Sequence, residues 1–163
     1  MDGRGDEDMR GQSIVYETLR KFAIPYEEIE HEPVWTVEDL RLLALPRDAA
    51  PAKNLFLRDA KGKRHFLLTI HMDKPVDLKR ASEALACSRL SFASPERLAR
   101  RLKLLPGSVS PFGILNDDER EVEVAFDSEL ENWPRIAVHP NVNTATLVLA
   151  FADMAAIVRS LDL

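Results

Sequence analysis

Two apolar runs joined by a short polar turn constrain the fold of this chain most. The runs occupy residues 54–58 and 64–70, and the connection 59–63 carries Gly62 near its end. A connection of this length with a glycine is typical of a β-hairpin, because glycine adopts the positive φ that tight turns need. The sequence therefore predicts an antiparallel strand pair around which a sheet must form.

The remaining segments show helical and extended patterns in mixed order. Val15, Leu19 and Phe22, for example, have the spacing of one helical face, and Pro25 follows them. Helices are predicted at 12–23, 37–45, 77–86, 96–102 and from 151 onward, and further strands at 26–30, 90–92, 121–126, 136–138 and 146–149. Because helices and strands do not alternate strictly, we expect an α/β fold of α+β-like character, with a mixed sheet flanked by helices.

Length and composition indicate one globular domain. The chain has 163 residues, of which 45% are hydrophobic, which is enough for one packed core. Residues 1–12 are mostly polar and predict a flexible N-terminal tail, so the single domain is expected at 13–163. A net charge of -5 argues against a protein that coats nucleic acid nonspecifically, but it allows a local basic patch.

No cofactor or targeting signal is recognisable in the sequence. The one cysteine, Cys87, cannot form an intrachain disulfide, and we find neither a signal-peptide core nor a membrane-spanning run. The four histidines lack the close spacing of common zinc motifs, and no Walker loop or dinucleotide fingerprint is present. We therefore expect a cytoplasmic protein with no metal and no cofactor.

The segment 105–113, LPGSVSPFG, has the composition of a ligand-contacting loop. Its glycines let backbone N–H groups approach a ligand, while Pro106 and Pro111 restrict the neighbouring dihedral angles. Such a loop could hold a carbonyl or an anion, and a rigid surface turn is the alternative interpretation.

Four segments in order resemble the YbaK/prolyl-tRNA-synthetase-associated editing domain family. They are HEPVWTVE at 31–38, KNLFL at 53–57, GSVSPFG at 107–113 and HPNVNTAT at 139–146, and the resemblance covers about residues 13–163. Within the family the chain is most similar to the free-standing, ProX-like branch. The resemblance implies a mixed, partly barrel-like sheet flanked by helices. It also implies a trans-editing hydrolase that deacylates alanine mischarged on proline tRNA and spares the prolyl product.

The resemblance implies roles for three candidate catalytic positions. Lys53 would supply positive charge to a phosphate or to the ester carbonyl, backbone N–H groups from Gly107 onward would hold the carbonyl or oxyanion, and His139 would orient water or bind the ribose. Water would be the nucleophile, with no covalent intermediate. A surface lysine at a strand start and a strand-end histidine are the alternative interpretations.

Further positions are candidates for substrate binding. Four apolar ones, Val34, Trp35, Val109 and Phe112, could form the wall that sets the size of the accepted amino acid, or could be ordinary core residues. The full set is Val34, Trp35, Thr36, Asn54, Ser108, Val109, Ser110, Pro111, Phe112 and Gly113.

The chain departs from the family pattern at two places. Asn141-Val142 stands where the resemblance implies a Leu-Thr-like pair, so the role of Asn141 stays open. Ala150-Phe151 replaces the Ser-Pro that often precedes the last helix, which removes a helix cap.

The sequence leaves several interpretations of the function open. Cysteine could replace alanine as the amino acid removed. The fold could also serve a nonenzymatic nucleic-acid-binding or regulatory module, or a small-molecule binding domain. The expected partner is the acceptor end of aminoacyl-tRNA, which basic residues near 61–64 and 97–103 could contact. Prolyl-tRNA synthetase is a second candidate partner, no membrane partner is expected, and the oligomeric state is not predicted.

Overall fold

The computed structural model describes residues 3–161, with side chains from residue 11 onward. Two short 3₁₀ helices, Pro111–Asn116 and Ser128–Asn132, accompany five α-helices and seven strands in this part of the chain. The α-helices and strands follow in the order α1 (Gly3–Lys21), β1 (Glu27–Glu30), α2 (Val37–Arg41), β2 (Ala49–Arg58), β3 (His65–His71), α3 (Leu78–Ala84), β4 (Ser91–Phe92), α4 (Pro95–Leu102), β5 (Val122–Phe126), β6 (Arg135–Val138), β7 (Ala145–Ala150) and α5 (Phe151–Ser160).

The strands form one mixed sheet in the order β1-β7-β6-β2-β3-β5, with β4 also paired to β2. The predicted hairpin is confirmed: β2 and β3 are antiparallel in continuous register from Ala52↔His71 to Arg58↔His65. The β2–β6 and β3–β5 pairs are parallel, so the mixed α/β prediction is confirmed as well. The described strands do not close into a barrel.

Strand β2 changes partner along its length, and this creates room for a site. Its first residues, 49–51, pair with β6, and its last residues, 57–58, pair with β4. Between these stretches β2 separates from β6. The cleft described below opens at this separation.

Helices cover both faces of the sheet. The main core lies under α1, α4 and α5 and includes Leu19, Leu102 and Met154. A smaller core on the opposite face packs Leu57 and Phe66 against α3. Burial of these apolar side chains on both sides fixes the strand register, since a slip of one residue would exchange the two faces.

The helix caps follow the sequence closely. Ser94 caps α4 with Pro95 at the first helical position, as the sequence predicts. Thr36 caps α2 in a capping box with Asp39. At α5 the N-cap residue Ala150 forms no side-chain cap, which agrees with the loss expected there.

The largest differences from the sequence prediction are at the starts of β2 and α1, and α2 also ends at Arg41 rather than at residue 45. Strand β2 begins at Ala49 rather than residue 54, because Pro51 and three alanines have low strand propensity and are placed by tertiary pairing. Lys53 therefore lies inside the strand and not at its start.

Helix α1 begins at Gly3, upstream of the predicted start at 12. Positions 8, 11 and 12, which would continue the apolar face upstream, hold Asp, Gly and Gln, so periodicity carries no signal there. Residues 1 and 2 of the predicted tail lie outside the described residues, and its flexibility stays a prediction. No helix in the described part of the chain has the length and apolar character needed to cross a bilayer.

Candidate active site

A cleft lies where β2 and β6 separate, beside α2 and the segment that follows it. Its free space is about 270 Å³, open solvent included. Three polar side chains reach it, from Asn54, His139 and Thr146. The remaining lining is apolar: Leu40, Leu43, Leu45, Pro51, Ala52, Ala137 and Val138. The cleft thus suits a small apolar group with a few polar anchors.

His139 follows the last residue of β6 and is held by one backbone hydrogen bond. Its Nδ1 lies 2.9 Å from the carbonyl oxygen of Ala145. A carbonyl can only accept, so the neutral ring carries its proton on Nδ1 and keeps the Nε2 lone pair. Burial lowers the pKa of His139, and the nearby charge of His31 lowers this pKa further, while the bond to Ala145 opposes both. The side chain is therefore a neutral hydrogen-bond acceptor near pH 7.

Thr146 connects His139 to a second histidine. The Thr146 hydroxyl lies 2.8 Å from Nε2 of His31 and 3.5 Å from Nδ1 of His139. His31 Nδ1 donates to the Glu32 carbonyl at 2.8 Å, so in the neutral ring Nε2 accepts from Thr146. His31 and Thr146 were not among the predicted site residues, although both lie in segments that carry the family resemblance.

Asn54 and Lys53 occupy opposite faces of β2. The Oδ1 atom of Asn54 accepts from the Thr69 hydroxyl at 2.6 Å, which orients the carboxamide at the cleft. Lys53 pairs with Ile70 across the hairpin, and successive strand side chains alternate between faces. Asn54 lines the cleft and Lys53 is directed to the other face. The catalytic role of Lys53 stays a prediction.

The loop at residues 105–113, called the glycine loop below, contacts the segment before α2. Gly107 has φ +89°, and a Cβ there would stand 2.7 Å from Cε3 of Trp35 and 3.5 Å from Nδ2 of Asn143. The Val34 backbone N–H donates to the Asn143 carbonyl at 3.2 Å. Three segments that the resemblance links in sequence are thus in contact: the loop, the segment 31–35 and the connection between β6 and β7.

The second half of the loop is buried. The Ser110 hydroxyl accepts from the Phe112 N–H at 3.1 Å, and Phe112 belongs to the main core. Pro111 and Gly113 are buried too. Leu105 and Pro106 are exposed and residues 107–109 are half-buried, so this first half is the part of the loop that a ligand can reach. Substrate contact by the loop residues stays a prediction. The buried residues 110–113 lie behind the part of the loop that a ligand can reach.

The apolar wall of the cleft comes from a different segment than the sequence suggested. Val34 is buried, Thr36 caps α2, and Trp35 is 67% exposed. The lining comes instead from the leucines of α2 and the residues just after it. Those leucines continue past the end of the helix, and this unexplained apolar run is the signal that could have found them.

Three of the basic residues at 61–64 and 97–103 are paired with acidic side chains. Arg64 donates two hydrogen bonds to Glu123, at 2.8 and 2.9 Å. Arg101 pairs with Glu121, and Lys103 lies 3.4 Å from Asp118. Contact of this surface with tRNA phosphates stays a prediction, with less free positive charge than the sequence alone indicated.

Comparison with known proteins shows the family of this chain. Residues 31–157 match the family model described as the aminoacyl-tRNA editing domain. The chain is similar to the Prolyl-tRNA editing protein ProX of Acetoanaerobium sticklandii, with 44% identity over 153 residues that cover 94% of this chain and 93% of that protein. It is 34% identical over 140 residues to the Prolyl-tRNA synthetase associated domain-containing protein 1 of Danio rerio, covering 85% of this chain and 76% of the relative.

A solved structure shares the fold. It is described as a candidate trans-editing enzyme for prolyl tRNA synthetase, and it superposes with a TM-score of 0.72 over 90% of each chain. The identity in this comparison is 17%, so the likeness is one of fold.

Proposed function

The chain belongs to the aminoacyl-tRNA editing domain family, and from that premise we propose that it hydrolyses alanine from mischarged proline tRNA and spares the prolyl ester. A relative with 44% identity is named a prolyl-tRNA editing protein. The chain is accordingly an aminoacyl-tRNA deacylase, a hydrolase of the ester bond, that edits mischarged proline tRNA in trans. Alanine as the amino acid is the finer part of the proposal.

The small apolar cleft is the observation that carries the choice of alanine. A synthetase site shaped for proline rejects smaller amino acids weakly, because each missing methylene is worth only about 1–3 kcal/mol. A second site that excludes proline by size corrects this error. Leu40, Leu43 and Leu45 form the apolar wall that would admit a methyl group and exclude the pyrrolidine ring. Cysteine, which differs from alanine by one sulfur atom, is the second candidate for the same wall.

The ester is already activated, so positioning and oxyanion stabilisation suffice for hydrolysis. Water attacks the carbonyl carbon, the bond from that carbon to the ribose oxygen breaks, and a proton from water ends on the ribose oxygen. Neutral His139 presents Nε2 as an acceptor for the attacking water or for a ribose hydroxyl. The backbone N–H of Gly107 stabilises the oxyanion, because the Ser108 N–H already donates to the Leu105 carbonyl at 3.0 Å.

The Thr146 hydroxyl is the alternative to water as the nucleophile, because a histidine beside a hydroxyl can act as its general base. Its almost complete burial between two histidines favours a positioning role instead. A Thr146→Val variant separates the two: hydrolysis by water survives it with reduced rate, whereas an acyl-threonine route requires the hydroxyl and is abolished.

The test of the proposed function is release of labelled amino acid from proline tRNA charged with alanine, cysteine or proline. We expect fast loss of alanine with proline spared. Faster loss of cysteine would reassign the amino acid and keep the enzyme class. Absence of acceleration with all three substrates would contradict the deacylase and favour a nonenzymatic binding module, for which tRNA affinity is the next measurement.

We further propose that the protein acts in the cytoplasm, where free aminoacyl-tRNA is available, and that it can associate with prolyl-tRNA synthetase. Names of relatives support the second point, because they describe a domain associated with that synthetase. Co-sedimentation of the purified protein with prolyl-tRNA synthetase, with and without proline tRNA, tests it.

A further inference from the structure

Trp35 presents a large aromatic ring to solvent beside the candidate active site. Its side chain is 67% exposed, whereas the other tryptophan, Trp133, is half-buried against His71. Single exposed apolar side chains are common on protein surfaces, so exposure alone assigns no role to the ring. Its fixed position beside the loop is the informative observation.

The ring is held in a fixed place despite its exposure. The backbone N–H of Trp35 donates to the Asp39 carboxylate at 2.9 Å, and the same carboxylate accepts from Thr36. On its other side the ring edge lies against Gly107, where a Cβ would come within 2.7 Å of Cε3. Because only glycine permits this approach, the loop and the ring form one preorganised surface.

This surface adjoins the segment that lines the cleft, although neither Trp35 nor Gly107 lines the cleft itself. The Leu40 N–H donates to the Thr36 carbonyl at 3.1 Å, so a single helical turn separates Thr36 from a residue that lines the cleft. An aminoacyl ester whose amino acid enters the cleft has its carbonyl near the loop and its ribose at the mouth. The nucleobase is the next group outward.

We propose that Trp35 is the stacking platform for the terminal adenine of the aminoacyl-tRNA acceptor end; this inference rests on the proposed function. Stacking on an aromatic ring suits a terminal unpaired base, since every base has a π face. Loss of one such stack raises KM by about 5- to 150-fold. Trp35 thus binds the nucleoside and does not select the amino acid by size.

Two small substrates test the platform, the alanyl ester of adenosine and the ethyl ester of alanine. Trp35→Leu keeps an apolar side chain over Gly107 and removes the ring. We expect KM for the adenosine ester to rise by about 5- to 150-fold with kcat nearly unchanged, and the ethyl ester to be hydrolysed as before. The matched control is Phe92→Leu, which removes an exposed ring (59%) from β4 at the far end of β2 and leaves both substrates unaffected.

An unchanged KM for the adenosine ester in Trp35→Leu would overturn the platform. So would an equal loss with both esters, because that result indicates a disturbed loop rather than a lost stack.

A binding measurement decides the same point without turnover. Adenosine 5'-monophosphate at millimolar concentration is expected to quench the tryptophan fluorescence of the unaltered protein. In Trp35→Phe, Trp133 is the one remaining tryptophan, so we expect the quenching of tryptophan fluorescence to be lost. If the unaltered protein hydrolyses neither ester nor charged tRNA, the proposed function fails, while quenching still decides the platform. Absence of quenching in the unaltered protein contradicts the stack.

Discussion

The side-chain amide of Asn141 donates a hydrogen bond to the carbonyl oxygen of Gly11, at 3.1 Å, and so ties the connection after β6 to helix α1. The same Nδ2 lies 3.4 Å from the carbonyl oxygen of Phe112, in the 3₁₀ helix after the glycine loop. Asn141 is buried and has φ +63°, a left-handed conformation that asparagine tolerates better than most residues. The position that departs from the family pattern is therefore a structural clamp behind the site.

Removal of this clamp is expected to destabilise the protein. Asn141→Ala removes the donor to the half-buried Gly11 carbonyl and the buried Phe112 carbonyl and puts alanine at positive φ, so the free energy of unfolding should fall by about 1–3 kcal/mol. Urea unfolding measures it. Asn141→Gly removes the same bonds but relieves the backbone, so it should cost less than alanine. An alanine variant as stable as the original would contradict the contribution of Asn141 to stability.

Leu43→Ala is expected to weaken the exclusion of proline. Leu43 lines the cleft, and the lost methyl groups leave room for a larger amino acid. Hydrolysis of prolyl-tRNA relative to alanyl-tRNA should rise roughly tenfold or more, measured as the ratio of kcat/KM values. Its neighbour Leu42 is 85% exposed and outside the lining, so Leu42→Ala is the matched control. Equal effects of both variants would contradict the size sieve.

Gly107→Ala is expected to reduce the rate of deacylation by about a hundredfold to a thousandfold, the usual worth of one oxyanion donor. The new methyl group would meet the Trp35 ring at positive φ and displace the loop. Gly62→Ala is the control, because Gly62 has φ +67° and its Cβ would stand 2.9 Å from Arg97, far from the cleft. Both variants should lose stability, by about 1–2 kcal/mol. Only Gly107→Ala should show a lower deacylation rate per folded molecule.

The pH dependence of deacylation should report His139. Its pKa lies below the ordinary value of 6.5 because of burial, so the ring stays neutral to a lower pH than a free histidine. Activity that needs the Nε2 lone pair is complete at pH 7 and is lost as pH falls through that lowered pKa. We expect the acidic limb of kcat/KM to have its midpoint below pH 6.5 and to vanish in His139→Asn. His71→Gln, at a half-buried histidine whose ring is tilted against Trp133, should keep this acidic limb.

Lys53→Ala is expected to reduce deacylation at least tenfold, since a positive charge near the ester carbonyl or a phosphate stabilises the transition state. Circular dichroism should show an intact fold, and Lys61→Ala in the exposed hairpin turn is the charge-matched control. Normal turnover by folded Lys53→Ala would remove this residue from the mechanism. That result would agree with its place on the face of β2 opposite Asn54.

The sequence determined most of the secondary structure because its signals are local. The Gly62 hairpin, the Ser94-Pro95 helix start and the alternating strand at 122–126 depend on residues a few positions apart, and each is present. Four short motifs in order likewise indicated the family, although they lie in segments distant in sequence.

Only the tertiary structure decided how those segments face one another. Strand β2 extends back to Ala49 because β6 pairs with it, which local propensity could not reveal. The hydrogen bond from Thr146 to His31, the exposure of Trp35 and the burial of Phe112 depend on packing between residues distant in sequence. Which side chains line the cleft is likewise decided where β2 and β6 separate, since Asn54 lines it and the adjacent Lys53 does not.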